Sequence, residues 1–274
     1  MRTFLVQDYQ IPLKRPSAQQ KKFAQRTLRP PQARMSEYRA SKYKDAAPDK
    51  STAICYFAGY ADAFLHAHLF SDGVLGDATV FATDATFKAI NVVDFTNPSD
   101  FPTSDEHVCS AHDIVEDVQI CIDFVQNRTE FSKTILWGHS NGGMHIVNYL
   151  RTRRESNQQI NVDGVVLAAP MLQLFPTALS WTFLQKALLL EEKLMHPGKD
   201  FCEAIFSEAS GLIDPTRVMK YLPLNYDLCA KPLLANMMSF GWLKYLLETH
   251  SKLMAWKNTP DVEEINSWFS TEMN

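Results

Sequence analysis

The stretch Thr134–Leu150, "TILWGHSNGGMHIVNYL", decides how the chain is read. It opens on an apolar run, passes through a glycine-rich turn with one serine at its centre, and continues with helical character. Gly138 and Gly142 stand two residues either side of Ser140. A strand that delivers a serine into a tight strand-to-helix turn needs small residues at those two positions, because the serine is held in strained backbone geometry. Gly143 then lets the following helix approach the sheet. Such a turn presents Ser140 Oγ at the carboxyl edge of the sheet, beside the positive end of a helix dipole. A nucleophile and a developing oxyanion are both favoured there.

Outward from this turn, strands alternate with helices. "TAICYFAG" (52–59) is an apolar run ending at Gly59, and "ADAFLHAHLFSDGVL" after it has helical periodicity. "FKAINVVDF" (87–95), "KTILWG" (133–138) and "VDGVVLAAP" (162–170, stopped by Pro170) read as further strands. "AHDIVEDVQICIDFVQN" (111–127) places Ile114, Val118, Cys121, Ile122 and Val125 on one helical stripe, and residues 141–154 form the helix after the turn. Apolar strands without polar alternation, separated by helices, indicate an α/β fold with a parallel sheet covered on both faces. Residues 173–257 are rich in Leu, Met and Phe and contain helix-length segments such as "LSWTFLQKALLLEEKLM" and "GWLKYLLETHSKLMAW". They read as a helical cap. The expected organisation is a basic extension over 1–50, an α/β core over 51–172, and a cap with a C-terminal tail over 173–274.

Composition excludes several classes. At 274 residues, with 46% hydrophobic and 21% charged residues, the chain is of ordinary globular type. It contains no uncharged apolar run of 18 residues, so no transmembrane segment is expected, and the N-terminus lacks the pattern of a secretory signal. Five unclustered cysteines (Cys55, Cys109, Cys121, Cys202, Cys229) suit reduced thiols in a cytoplasmic setting. Residues 1–50 carry 12 Lys/Arg against 4 Asp/Glu, and read as a solvated, partly flexible arm that could touch an anionic membrane surface. Without aromatic interleaving it does not point to nucleic acid. His66 and His68 have metal-like spacing, but on a helix i and i+2 point to different faces, so no metal site is expected. No glycine-rich nucleotide loop is present, and no cofactor is expected.

"GHSNGG" at the turn, "YFAGYAD" after the early strand, "VVLAAPML" after the elbow helix and "SFGWLKYLL" in the cap together resemble the α/β-hydrolase family, in its lysophospholipase and monoacylglycerol-lipase-like (serine aminopeptidase S33-type) branch. The resemblance runs from about Ala53 to Trp256. It implies that Ser140 is the nucleophile and that the oxyanion hole uses the backbone N–H groups of Asn141 and Tyr60. Ala58 stands where the family usually has His, which bears on the geometry of that loop. The implied substrate is a small-molecule acyl ester or lipid, such as a lysophospholipid or monoacylglycerol.

The family order places an acid and then a histidine after further strands. Downstream of Ser140, His145 lies on the elbow helix, His196 in a cap turn and His250 within a helical pattern; Asp163 begins a strand, and Asp200, Asp214, Asp227 and Asp261 lie in turns or near the end. None has the position of a triad member, and the two final strands that would carry the acid and base are expected to be absent. Two readings follow: a serine esterase or lipase, impaired if its partners are lacking, or a non-catalytic relative that binds a lipid or a protein.

Overall fold

The computed structural model describes residues 4–14, 32–43, 50–59, 68–71, 74–84, 111–172 and 240–256, together with positions 21 and 25. Among the described residues six strands form one sheet: β1 (Phe4–Pro12), β2 (Gln32–Ala40), β3 (Ser51–Phe57), β4 (Thr79–Asp84), β5 (Phe131–His139) and β6 (Gly164–Ala168), in the order β1-β2-β4-β3-β5-β6. β4, β3, β5 and β6 run parallel, while β2 is antiparallel to β4 and β1 antiparallel to β2. The described helices are α1 (His68–Ser71), α2 (Ala111–Gln126), α3 (Asn141–Glu155) and α4 (Phe240–Trp256). The parallel sheet expected over 52–170 is therefore present.

The pleat of the central strands divides the core. Ala53, Cys55 and Phe57 of β3 face one side, where Val118, Cys121, Ile122 and Val125 of α2 and Ile146, Tyr149 and Leu150 of α3 close over them together with Leu136 of β5. Tyr56, one position out of step, faces the other side with Val80, Ala40 and Phe70 of α1, and Trp137 of β5 meets it edge-on with ring centroids 5.0 Å apart. Both faces are thus covered by apolar side chains, which is why β3 and β5 lack the polar alternation of a one-sided sheet. The helical stripe read from 111–127 is the stripe that packs here. Cys55 and Cys121 are free thiols inside this core. Burial pushes the Cys121 thiol well above its ordinary value, so it is a packed side chain and not a thiolate.

One expectation needs correction, and one strand lies where none was expected. The correction concerns the N-terminal arm, of which residues 4–12 and 32–40 are strands and not a solvated extension. β1 and β2 pair over nine residues, from Phe4 opposite Ala40 to Pro12 opposite Gln32. The charges that suggested solvent are partly buried in pairs. The Glu37 carboxylate is 1% exposed and lies 2.5 Å from Arg39 Nη2 and 2.7 Å from Arg128 Nη1, and Tyr9 Oη donates to it at 2.6 Å. Arg128 also pairs with Glu130 and lies over the rings of Phe131 and Phe81, 5.2 and 5.3 Å from their centroids. The unexpected strand is β4, which lies beside β3. It is Thr79–Asp84, in register from Ala53 opposite Thr79 to Phe57 opposite Thr83. The strand expected at 87–95 and the segment "LSWTFLQKALLLEEKLM" lie outside the described residues, whereas "GWLKYLLETHSKLMAW" falls within α4.

Candidate active site at the β5–α3 elbow

Ser140 sits between the last residue of β5 and the first of α3, with φ 50° and ψ −113°. A non-glycine residue in such a conformation costs about 1–3 kcal/mol and persists only where its surroundings over-determine it. Main-chain bonds do so from two directions. Ser140 N–H donates to the Ala168 carbonyl at the end of β6 (2.9 Å), and the Ser140 carbonyl accepts from the N–H groups of Gly143 (3.1 Å), Met144 (3.3 Å) and Met171 (2.8 Å).

The flanking glycines are required by close approach. A Cβ on Gly142 would drive into the Phe57 carbonyl oxygen and lie 2.7 Å from the Ala58 carbonyl oxygen; one on Gly138 would lie 2.6 Å from Gly143 Cα. Gly142 therefore seats the start of α3 against the end of β3, and Gly138 lets β5 pass under the turn. Gly143 faces Pro170, which ends the chain segment leaving β6.

The exit of β3 passes directly beside the serine. A Cβ built on Gly59 would be 3.2 Å from Ser140 Cβ and 3.1 Å from His139 Nδ1. Tyr60, expected to supply an oxyanion donor, is the next residue and lies outside the described set. Asn141 is the first residue of α3, so its N–H is among the donors that a helix leaves without an intrahelical acceptor. Its side chain is wholly buried (0% exposed), and neither amide atom finds a hydrogen-bond partner among the described residues.

Other residues weighed as partners of Ser140 have structural attachments. Asp163 Oδ2 accepts the Thr134 N–H at 2.7 Å, and Asp163 N–H donates to the Thr134 carbonyl at 2.8 Å. This clasp joins Thr134 within β5 to the residue before β6, six residues from Ser140 along an extended strand, or about 20 Å. His145 is buried on α3 with its ring 5.8 Å from that of Tyr245 on α4. His250 Nδ1–H donates to the Leu172 carbonyl at 2.9 Å. His66, His196, Asp200, Asp214, Asp227 and Asp261 lie outside the described residues. The proximity of His139 to Gly59 was not legible in the sequence, since nothing but adjacency to Ser140 marks that histidine.

A mostly parallel sheet with helices on its faces and a strained serine at a strand-to-helix elbow defines the α/β-hydrolase class. Within it, the chain belongs to the serine aminopeptidase S33 family, whose pattern matches residues 101–262, more than half of the sequence. No curated protein matches the chain. Among solved structures it is similar to a highly thermostable carboxyl esterase from Bacillus coagulans in complex with glycerol, with a TM-score of 0.53 and 14% identity, covering 91% of this chain and 73% of that one. An esterase from Pyrobaculum calidifontis is similar over 65% of this chain and 49% of that one, with 17% identity and a TM-score of 0.39. The chain spans about half the length of several of the structures it resembles. Among the described residues, no helix is long and apolar enough to cross a membrane.

Proposed function

We propose that the protein is a serine hydrolase of carboxylic esters, with Ser140 as nucleophile and the N–H groups of Asn141 and Tyr60 as the oxyanion hole. The observation that carries this reading is the strained backbone of Ser140 at the N-terminus of α3, packed by Gly138 and Gly142. In the reaction Ser140 Oγ forms a bond to the acyl carbon, the ester C–O bond breaks, and the alcohol leaves with a proton. Water then cleaves the acyl-serine bond and restores the hydroxyl. Each oriented N–H donor is worth about 3 kcal/mol to such a transition state. Family membership supports hydrolysis, and the substrate class we favour is a single-chain acyl glycerolipid, a lysophospholipid or a monoacylglycerol, acting at a cytoplasmic location.

A fluorophosphonate probe tests the assignment. Labelling is expected at Ser140 and is expected to vanish in Ser140→Ala; equal labelling of the two proteins would place the reactive group elsewhere. A general base is still needed for full turnover, since the oxyanion hole and binding alone supply roughly 10³–10⁴-fold over water. The structural attachments of Asp163 and His250 favour a second reading, a lipid- or protein-binding relative without turnover. Absence of any labelling would select it.

A further inference from the structure

We infer that His139 is a positioning residue: its imidazole, set against Gly59, fixes where the chain leaving β3 passes Ser140. The inference rests on the reading of Ser140 as a nucleophile. His139 ends β5 and pairs in register with Ala168, whose carbonyl holds the Ser140 N–H. Along β5 the buried residues are Thr134, Leu136 and Gly138, so His139 projects with Trp137 on the side of the sheet away from α2 and α3. There its ring stands over Gly59, close enough that a single added carbon on Gly59 would be 3.1 Å from Nδ1 and 3.5 Å from Cε1.

The same segment is confined from the opposite side. The Phe57 and Ala58 carbonyls abut Gly142 at the start of α3 so closely that no Cβ fits between them. Residues 57–59 are therefore held between the N-terminus of α3 and the His139 ring, and the chain enters the expected oxyanion loop from a fixed point beside Ser140. Oxyanion donors act only when held within a few tenths of an ångström of their target, and a displacement of about 1 Å costs on the order of 10²-fold in rate. Removing the ring opens space above Gly59 and frees that point. Adding a methyl to Gly59 displaces it from the other direction.

The test uses the full chain and the time course of fluorophosphonate labelling across probe concentrations, with the thermal midpoint as a fold control. His139→Ala is expected to lower the maximal labelling rate at least about tenfold while the half-saturating probe concentration changes by less than about twofold, because binding is retained and orientation is lost. Gly59→Ala is expected to show the same split. His139→Phe, which keeps a planar ring over Gly59, is expected to stay within about threefold of wild type. Wild-type labelling at Ser140 with an unchanged maximal rate in folded His139→Ala overturns the inference and leaves the nucleophile standing. Failure of wild type to label removes the nucleophile reading itself. If His139→Ala does not fold, the other variants decide: folded His139→Phe labelling as slowly as an orientation-deficient variant, or folded Gly59→Ala labelling at the wild-type maximal rate, overturns it.

Discussion

The two outermost of the described strands are finished by different means. At one edge, β1 and β2 pair over nine residues and are locked by the Glu37 carboxylate, which draws in Arg39 from β2, Arg128 from the turn before β5 and Tyr9 from β1. At the other, β6 contributes five residues paired to β5, and Asp163 clasps Thr134 of that neighbouring strand, its carboxylate accepting the Thr134 N–H and its own N–H donating to the Thr134 carbonyl. The outermost described strand also differs in character. β1 presents exposed Gln7, Asp8 and Gln10 and ends on Pro12, residues that discourage further strand pairing, whereas β6 is apolar throughout with Val166 50% exposed. An edge tied by buried charge is strong but depends on every partner; an edge tied by backbone pairing tolerates loss of a side chain but protects itself less.

The largest expected effect is at the charged edge. Glu37→Ala leaves two buried or half-buried guanidinium groups without their shared counter-charge, and a loss of about 3–5 kcal/mol is expected from denaturant unfolding. A loss below about 1 kcal/mol would place the Glu37 cluster among weak surface pairs and erase the contrast between edges. At the opposite edge, Asp163→Ala removes the acceptor of the Thr134 N–H and is expected to cost about 1–3 kcal/mol by the same measurement. A cost equal to that of Glu37→Ala would show the two clasps to be equivalent.

Acid should weaken the charged cluster through Glu130. Burial acts to raise the Glu130 carboxyl, but its own backbone N–H and the Arg128 guanidinium outweigh that and hold it below its ordinary value of 4.5. Its contribution is therefore fully present above pH 4.5 and is lost as pH falls through the depressed value. Glu130→Gln is expected to flatten part of the stability loss seen in that window, and an unchanged acid limb would assign the loss to other carboxylates. The smallest effect belongs to Val166→Lys, expected to change stability by no more than about 0.5 kcal/mol while raising the concentration at which the protein stays monodisperse in light scattering. Unchanged solubility would mean that β6 is not an aggregation-prone edge.

The legibility of these regions follows from how local their causes are. The elbow was readable because the contacts of Gly138 with Gly143 and of Ser140 with its own helix fall within a few residues, so the constraint is written in consecutive letters. α2 was readable for the same reason, its stripe being a property of one helix. The N-terminal hairpin was not, because the meaning of Glu37 and Arg39 depends on Arg128, ninety-one residues from Glu37. "MSEYRASK" looks solvated until that partner is known. β4 was not read because "TVFATD" is short and mixes polar with apolar residues. For the site, Ser140, Asn141 and both glycines could be located from the motif, whereas the environment of His139 depends on Gly59, eighty residues earlier in the chain, just past the end of β3.

The four main-chain bonds around Ser140 also give the elbow a kinetic signature. Its N–H and that of Met171 point into carbonyls on separate segments, at 2.9 and 2.8 Å, so neither amide can meet solvent unless β6 and the chain leaving it part from the turn. In deuterium exchange these two amides should open together and late, with the protection of the central strands and not of a loop. The residue with the most contorted backbone in the turn would then be among the slowest to let water in.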